Sequence, residues 1–198
     1  MNYDSNFKTQ YMKKYFGNFT IAIALMLFLN ACSKEVAEED NDNEVVTTLE
    51  LHIMERVTFN HFIYKFDDPD GFGAGSAAPV IDVIRLSPNK VYDVELKLFN
   101  KTANPVEDVT AEVEEEGADH RFYYLPSTSS NITVNNFSND GNGVPVGIMS
   151  TWTTGAKGAG KIRIVLRHYP NGSKATDDPV DSPKSSTDVD TEFTTSVE

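Results

Sequence analysis

The chain has one cysteine, Cys32, in 198 residues. An intrachain disulfide is therefore excluded, and so is any centre that needs paired thiols. Long apolar runs are also missing. The most hydrophobic stretch, Ile21–Leu29, is nine residues, far short of the ~20 that a membrane-spanning helix needs. Positive charge is scarce: 17 Lys and Arg stand against 30 Asp and Glu, for a net charge of −13. Such a body repels phosphate backbones, so nucleic acid is not an expected partner. No G-x-S-x-G nucleophile elbow is present. With so many acids a carboxylate pair can be nominated anywhere, so no pair is a signal. We expect no enzyme.

What is present begins with the N-terminus. Lys13 and Lys14 precede the short apolar run, and Leu29-Asn30-Ala31-Cys32 follows it. A basic region, a short apolar core and a small residue before the cut is the layout of a secretory signal peptide. Met12 is the more natural start, because "MKKYFGNF" is a compact basic opening. The cut site resembles a bacterial lipoprotein signal, in which the cysteine becomes the first mature residue and carries the lipids. Asn30 departs from the commonest pattern. The resemblance implies that residues 1–31 are a signal peptide and Cys32 the lipid attachment site, anchoring the protein to the outer membrane; the alternative is a plain secreted protein with an incidental cysteine. Several acyl chains anchor stably where one is marginal. From Ser33 to Glu44 there are six acids and one lysine, too little apolar surface to offset ordering entropy. Residues 32–44 read as a flexible acidic tether. Acids soon after the cysteine also resemble the surface-export signal of Bacteroidetes lipoproteins.

Removing residues 1–31 takes away Lys8, Lys13, Lys14 and Asp4, which leaves a net charge of −15. Residues 45–198 are enough for one domain with one core. Period-two alternation recurs through them. Leu49, Leu51 and Ile53 share a face, as do Phe62, Tyr64 and Phe66. Tyr92, Val94, Leu96 and Leu98 form a third set. Ile162, Ile164 and Leu166 form a fourth, with His168 next on that face, and Val189, Thr191, Phe193 and Val197 a fifth. Shorter strands are expected at 80–86, 121–125, 131–136 and 148–153. Gly-, Asn-, Asp- and Pro-rich breaks separate them. This is the pattern of a mainly β protein: a single antiparallel β-sandwich, immunoglobulin-like. One segment differs. Pro105 followed by acids, with Val106, Val109 and Val113 at helical spacing and Gly117 as a stop, predicts a short helix over Pro105–Glu116. Its β-branched residues keep a strand as the alternative. The fourteen residues after Pro170 read as a mobile loop.

Taken together, "FDDPDGFG", "EDVTAEVEEEGADHRFYY", "IRIVLRHYPNG" and "DVDTEFTTSV" resemble a family of short Bacteroidetes lipoproteins. Its members are often named type 1 periplasmic binding fold superfamily proteins and are associated with TonB-dependent outer-membrane receptors. The resemblance spans residues 45–198. It implies a lipid anchor, an envelope location and a role in solute capture. The two α/β lobes of the fold in that name need alternating strands and helices, which this chain lacks.

Three constellations could carry chemistry. Glu112 and Glu116 share a helix face, His120 follows, and His168 lies at the inward end of another strand. Glu116, His120 and His168 are candidate ligands for zinc. Against this, a glutamate face is usually solvated and a strand-end histidine usually has a backbone partner. Asp68 and Asp70 in "DDPDG" are candidates for a calcium loop, as are Asp140 and Asn142 in "SNDGNG". All four also suit ordinary turns. His52 and His61 are weaker candidates. Tyr123 alternates away from Phe122 and Tyr124 and could face outward to stack on a sugar or a partner. Two functions follow. One is a lipid-anchored accessory to TonB-dependent uptake of a metal ion or small solute. The alternative is a structural or adhesive surface lipoprotein binding protein or glycan.

Overall fold

Alternation builds the first strand, β1 (Thr48–Glu55), whose Leu49, Leu51 and Ile53 are fully buried. The computed structural model describes residues 45–68, 71 and 78–198. Cys32, the expected signal peptide and the expected tether lie outside these residues. The chain continues through β2 (His61–Asp67), β3 (Val80–Ile81), β4 (Ile84–Leu86), β5 (Val91–Asn100) and β6 (Glu107–Asp108). A one-and-a-half-turn helix, α1 (Thr110–Glu115), leads to β7 (His120–Pro126). Then come β8 (Ile132–Asn135), β9 (Met149–Thr154), β10 (Gly158–His168) and β11 (Ser186–Val197).

Among the described residues these strands form two sheets. The first has seven strands, in the order β3-β2-β1-β5-β9-β8 with β6 beside β5. The second has four, in the order β4-β11-β10-β7. Every pairing is antiparallel except β4 with β11, which is parallel. The expected β-sandwich therefore forms, with seven and four strands where immunoglobulin constant domains have four and three. One apolar core draws on both sheets. Tyr92, Val94, Leu96, Leu98 and Trp152 come from the larger sheet, and Phe122, Ile162, Ile164, Leu166, Val189 and Phe193 from the smaller.

Three expectations change. The helix starts at Thr110, not Pro105. Residues just before it are drawn into the sheet: Asp108 pairs with Phe99, Glu107 pairs with Asn100, and the Val109 N–H donates to the Leu98 carbonyl. The strand expected over 80–86 is two strands, one in each sheet, so the chain crosses the sandwich between Ile81 and Ile84. Of the Phe62, Tyr64 and Phe66 set, only Phe66 is buried and Phe62 is exposed. β3 covers β2 only at Phe66 and Asp67, which leaves the opening of β2 as a sheet edge with no neighbour among the described residues.

The segment after Pro170, expected to be mobile, is tied to the outer face of the smaller sheet. Arg121 donates to the Ala175 carbonyl at 2.8 Å, and Arg167 donates to the Ser185 and Ser182 carbonyls. Beneath it Val165 and Tyr169 are buried although Val165 points away from the core face. Tyr123, expected to face outward, lies under this segment. Its hydroxyl meets that of Tyr169 at 2.6 Å and donates to the Asp178 carbonyl, and Arg121 stacks on its ring.

Candidate metal centre

The core faces of β7 and β10 are apolar until their last members. On β10 Ile162, Ile164 and Leu166 are followed by His168, and on β7 Tyr124 and Phe122 are preceded by His120. The register pairs His168 with His120. Their rings stack with centroids 4.9 Å apart and planes 18° from parallel. The two histidines close one end of the core. His120 is 0 % exposed, and His168 is half-buried.

The Nδ1 of His120 lies 3.2 Å from the main-chain carbonyl of Glu116, at the end of α1. A carbonyl can only accept, so Nδ1 carries the hydrogen and Nε2 bears the lone pair. Burial, with smaller contributions from His168 and Lys174, lowers the pKa of His120 to about 4. The imidazole is neutral at pH 7, the state a metal requires.

A third group arrives by a break in the sheet. β11 pairs with β10 regularly as far as Val189 with Leu166. The next pair is Thr187 with Arg167, so Asp188 is an extra residue on β11. Such a bulge turns two successive side chains to the same side, and Asp188 is buried beside buried Val189. Asp188 is 7 % exposed, and among the described residues neither carboxylate oxygen has a hydrogen-bond partner. Burial raises its pKa to about 6, against the opposing charges of His168 and Arg167. One ligand atom from each of His120, His168 and Asp188 lies within 4.8 Å of the others. No protein-family model, curated protein or solved structure matches the chain. The chemistry of this end of the sandwich has to be read from its own atoms.

Of the expected zinc ligands, the structure brings His120 and His168 together and gives Glu116 a different part. Glu116 orients His120 through its main-chain carbonyl, while its exposed carboxylate stands outside the three-atom group. Partial desolvation and the neighbouring Glu112 and Asp119 raise the pKa of that carboxyl, and His168 opposes them. Asp188 escaped the sequence reading because strict alternation with Val189 and Thr191 sends it to solvent. No residue near it announces the bulge.

The calcium candidates divide. Asp70 lies outside the described residues. Asp68 is buried beside β1, its N–H donating to the Thr47 carbonyl and its carbonyl accepting from Gly71. Asp140 and Asn142 form a turn, in which Asp140 Oδ1 accepts from the N–H groups of Asn142 and Val144 at 2.8 and 2.9 Å. The Oδ2 of Asp140 faces an oxygen cage that already holds a cation. The buried Lys174 ammonium lies 3.1 Å from it and donates to the carbonyls of Gly117, His120 and Pro145 at 2.6, 3.0 and 3.1 Å. Burial lowers the pKa of Lys174, and Asp140 opposes that. His52 and His61 sit on the outer face of the larger sheet with ring centroids 5.3 Å apart, His52 bound to Glu50 at 3.0 Å.

Proposed function

We propose that this chain is a lipid-anchored protein of the bacterial outer membrane that captures a divalent metal ion, as an accessory to TonB-dependent uptake. The observation that carries the metal reading is the buried Asp188 carboxylate, which lacks a hydrogen-bond partner and lies beside two histidines. A buried carboxylate in that condition costs free energy unless a cation or proton meets it. The anchor rests on Leu29-Asn30-Ala31-Cys32 after a short apolar run, and the link to TonB-dependent receptors rests on the family resemblance. Binding is favoured over catalysis because the candidate donors are enclosed at the end of a core.

The test joins both halves. Labelled palmitate is expected in the wild-type chain, which fractionates with the outer membrane, and not in Cys32→Ala. A strain lacking the gene is expected to grow poorly under divalent-metal limitation and to recover with the wild-type gene. Normal processing and membrane retention of Cys32→Ala would refute the anchor. Unimpaired growth under every such limitation would refute the uptake role.

The adhesive alternative finds its support at another place. The turn between β1 and β2 exposes Val57 and Phe59 at 77 % and 70 %, and Phe59 holds a left-handed φ of 58°. A bulky residue is strained in that region. Loss of surface adhesion in Phe59→Ser with metal binding unchanged would favour this second reading.

A further inference from the structure

We propose that the ion is a first-row transition metal of the zinc class, held by His120, His168 and Asp188, with Glu116 outside the ligand set. This rests on the metal-capture reading above and gives it a ligand set and a metal class. Donor chemistry comes first. Two imidazole nitrogens and one carboxylate suit zinc and its neighbours. Calcium prefers six to eight oxygens, and magnesium keeps an octahedron of oxygens and waters. This group has one carboxylate and two nitrogen donors.

The donors are also fixed from three separate strands. His120 and His168 are held opposite one another by the β7–β10 register. The Glu116 carbonyl sets the tautomer of His120, as a partner behind a ligating histidine commonly does. The β11 bulge delivers Asp188 to the same end of the core. Around a tetrahedral ion with bonds of 2.0–2.2 Å, donors stand about 3.3 Å apart. The present separations are all within 4.8 Å, and to reach that value the two stacked imidazoles have to turn their planes towards a common point. The ion would supply the partner that both Asp188 oxygens lack. Three protein ligands leave a fourth position for water. His168, the half-buried member, is the ligand past which the ion exchanges with solvent.

The experiment uses the full chain carrying Cys32→Ser, which removes the one thiol, titrated with cobalt(II). The wild-type site is expected to take one equivalent, with the intense visible bands of a four-coordinate ion. Zinc displaces it, and millimolar calcium or magnesium does not. His168→Ala and Asp188→Asn are each expected to lose at least about tenfold in affinity, and Glu116→Gln to keep the wild-type value. Far-UV circular dichroism and urea unfolding in chelator show whether each variant is folded.

Cobalt affinity unchanged in both folded His168→Ala and Asp188→Asn overturns the site and leaves the metal-capture reading standing. Displacement of cobalt by calcium overturns the metal class. An equal loss in Glu116→Gln overturns the ligand set. A wild-type chain that binds no divalent ion overturns this proposal and the metal-capture reading together.

Discussion

Asp188→Asn is expected to make the metal-free protein more stable while removing the proposed metal site. The magnitude follows from the carboxylate's environment. Its pKa is raised from 3.8 to about 6, and every tenfold change in an acid dissociation constant corresponds to about 1.4 kcal/mol. Keeping Asp188 ionised in the folded state therefore costs about 3 kcal/mol at pH 8. Asparagine removes the charge but leaves a buried amide with its own cost of ~1–3 kcal/mol. The net gain is about 0–2 kcal/mol, or a rise of up to about 8 °C in Tm for a domain of this size.

The pH dependence carries the sign. A carboxyl whose folded pKa is raised contributes stability below its unfolded pKa, and loses it as pH rises through the folded value. The advantage of Asp188→Asn should therefore be small near pH 4, grow towards pH 6 and level off above. His120 runs the other way. Its pKa is lowered to about 4, so its contribution is present above pH 6.5 and lost as pH falls through 4. In the wild type the two slopes oppose each other between pH 4 and 6.5, and in Asp188→Asn only the histidine slope remains. Urea unfolding in EDTA at half-unit steps from pH 4 to 8 reads both curves. The reasoning is refuted if Asp188→Asn is less stable than wild type at pH 8, or if the difference between them does not change with pH.

Other substitutions test separate parts of the structure. Lys174→Met strands Asp140 and three carbonyls and is expected to cost about 3–5 kcal/mol, read by the urea midpoint. A loss under 1 kcal/mol would show that the ammonium is not needed in its cage. Phe59→Gly removes the strain of a left-handed phenylalanine and should raise stability by about 1 kcal/mol; a lower Tm would contradict this. Gly160→Ala places a Cβ 2.6 Å from the Ser130 main-chain nitrogen. It should cost about 1–3 kcal/mol, and an unchanged Tm would show that the 127–130 turn shifts without cost.

Sequence pattern reached the interior of the sandwich and stopped at its irregularities. Leu49, Leu51, Ile53, Tyr92, Val94, Leu96 and Leu98 were legible because a strand with one face buried must alternate. His168 was legible for the same reason, as the next member of an apolar face. Phe62 carried the same signal and is exposed, because alternation cannot tell an inner strand from one whose edge is bare. Asp188 was illegible because a bulge is a property of two strands in register, and β11 alone does not encode it. The 170–185 segment was misread on composition. Its Gly, Asp and Pro content marks irregular backbone, while its attachment comes from Arg121, Tyr123 and Arg167 on other elements.

The place of β11 has a consequence for the order of events during synthesis. It lies between β4 and β10, yet it is the last of the four strands in its sheet to be made. β10 and β7 can pair early, but β4 has no neighbour in that sheet until residues 186–197 have left the ribosome. Phe193, Val189 and Val197, which seal the core, arrive at the same moment. A chain built this way stays incompletely packed until residues 186–197 have been made. Under the proposed reading of residues 1–31 as a secretory signal that delay would be useful, because a polypeptide has to thread the translocation channel unfolded, and this one withholds the strand that would let it close.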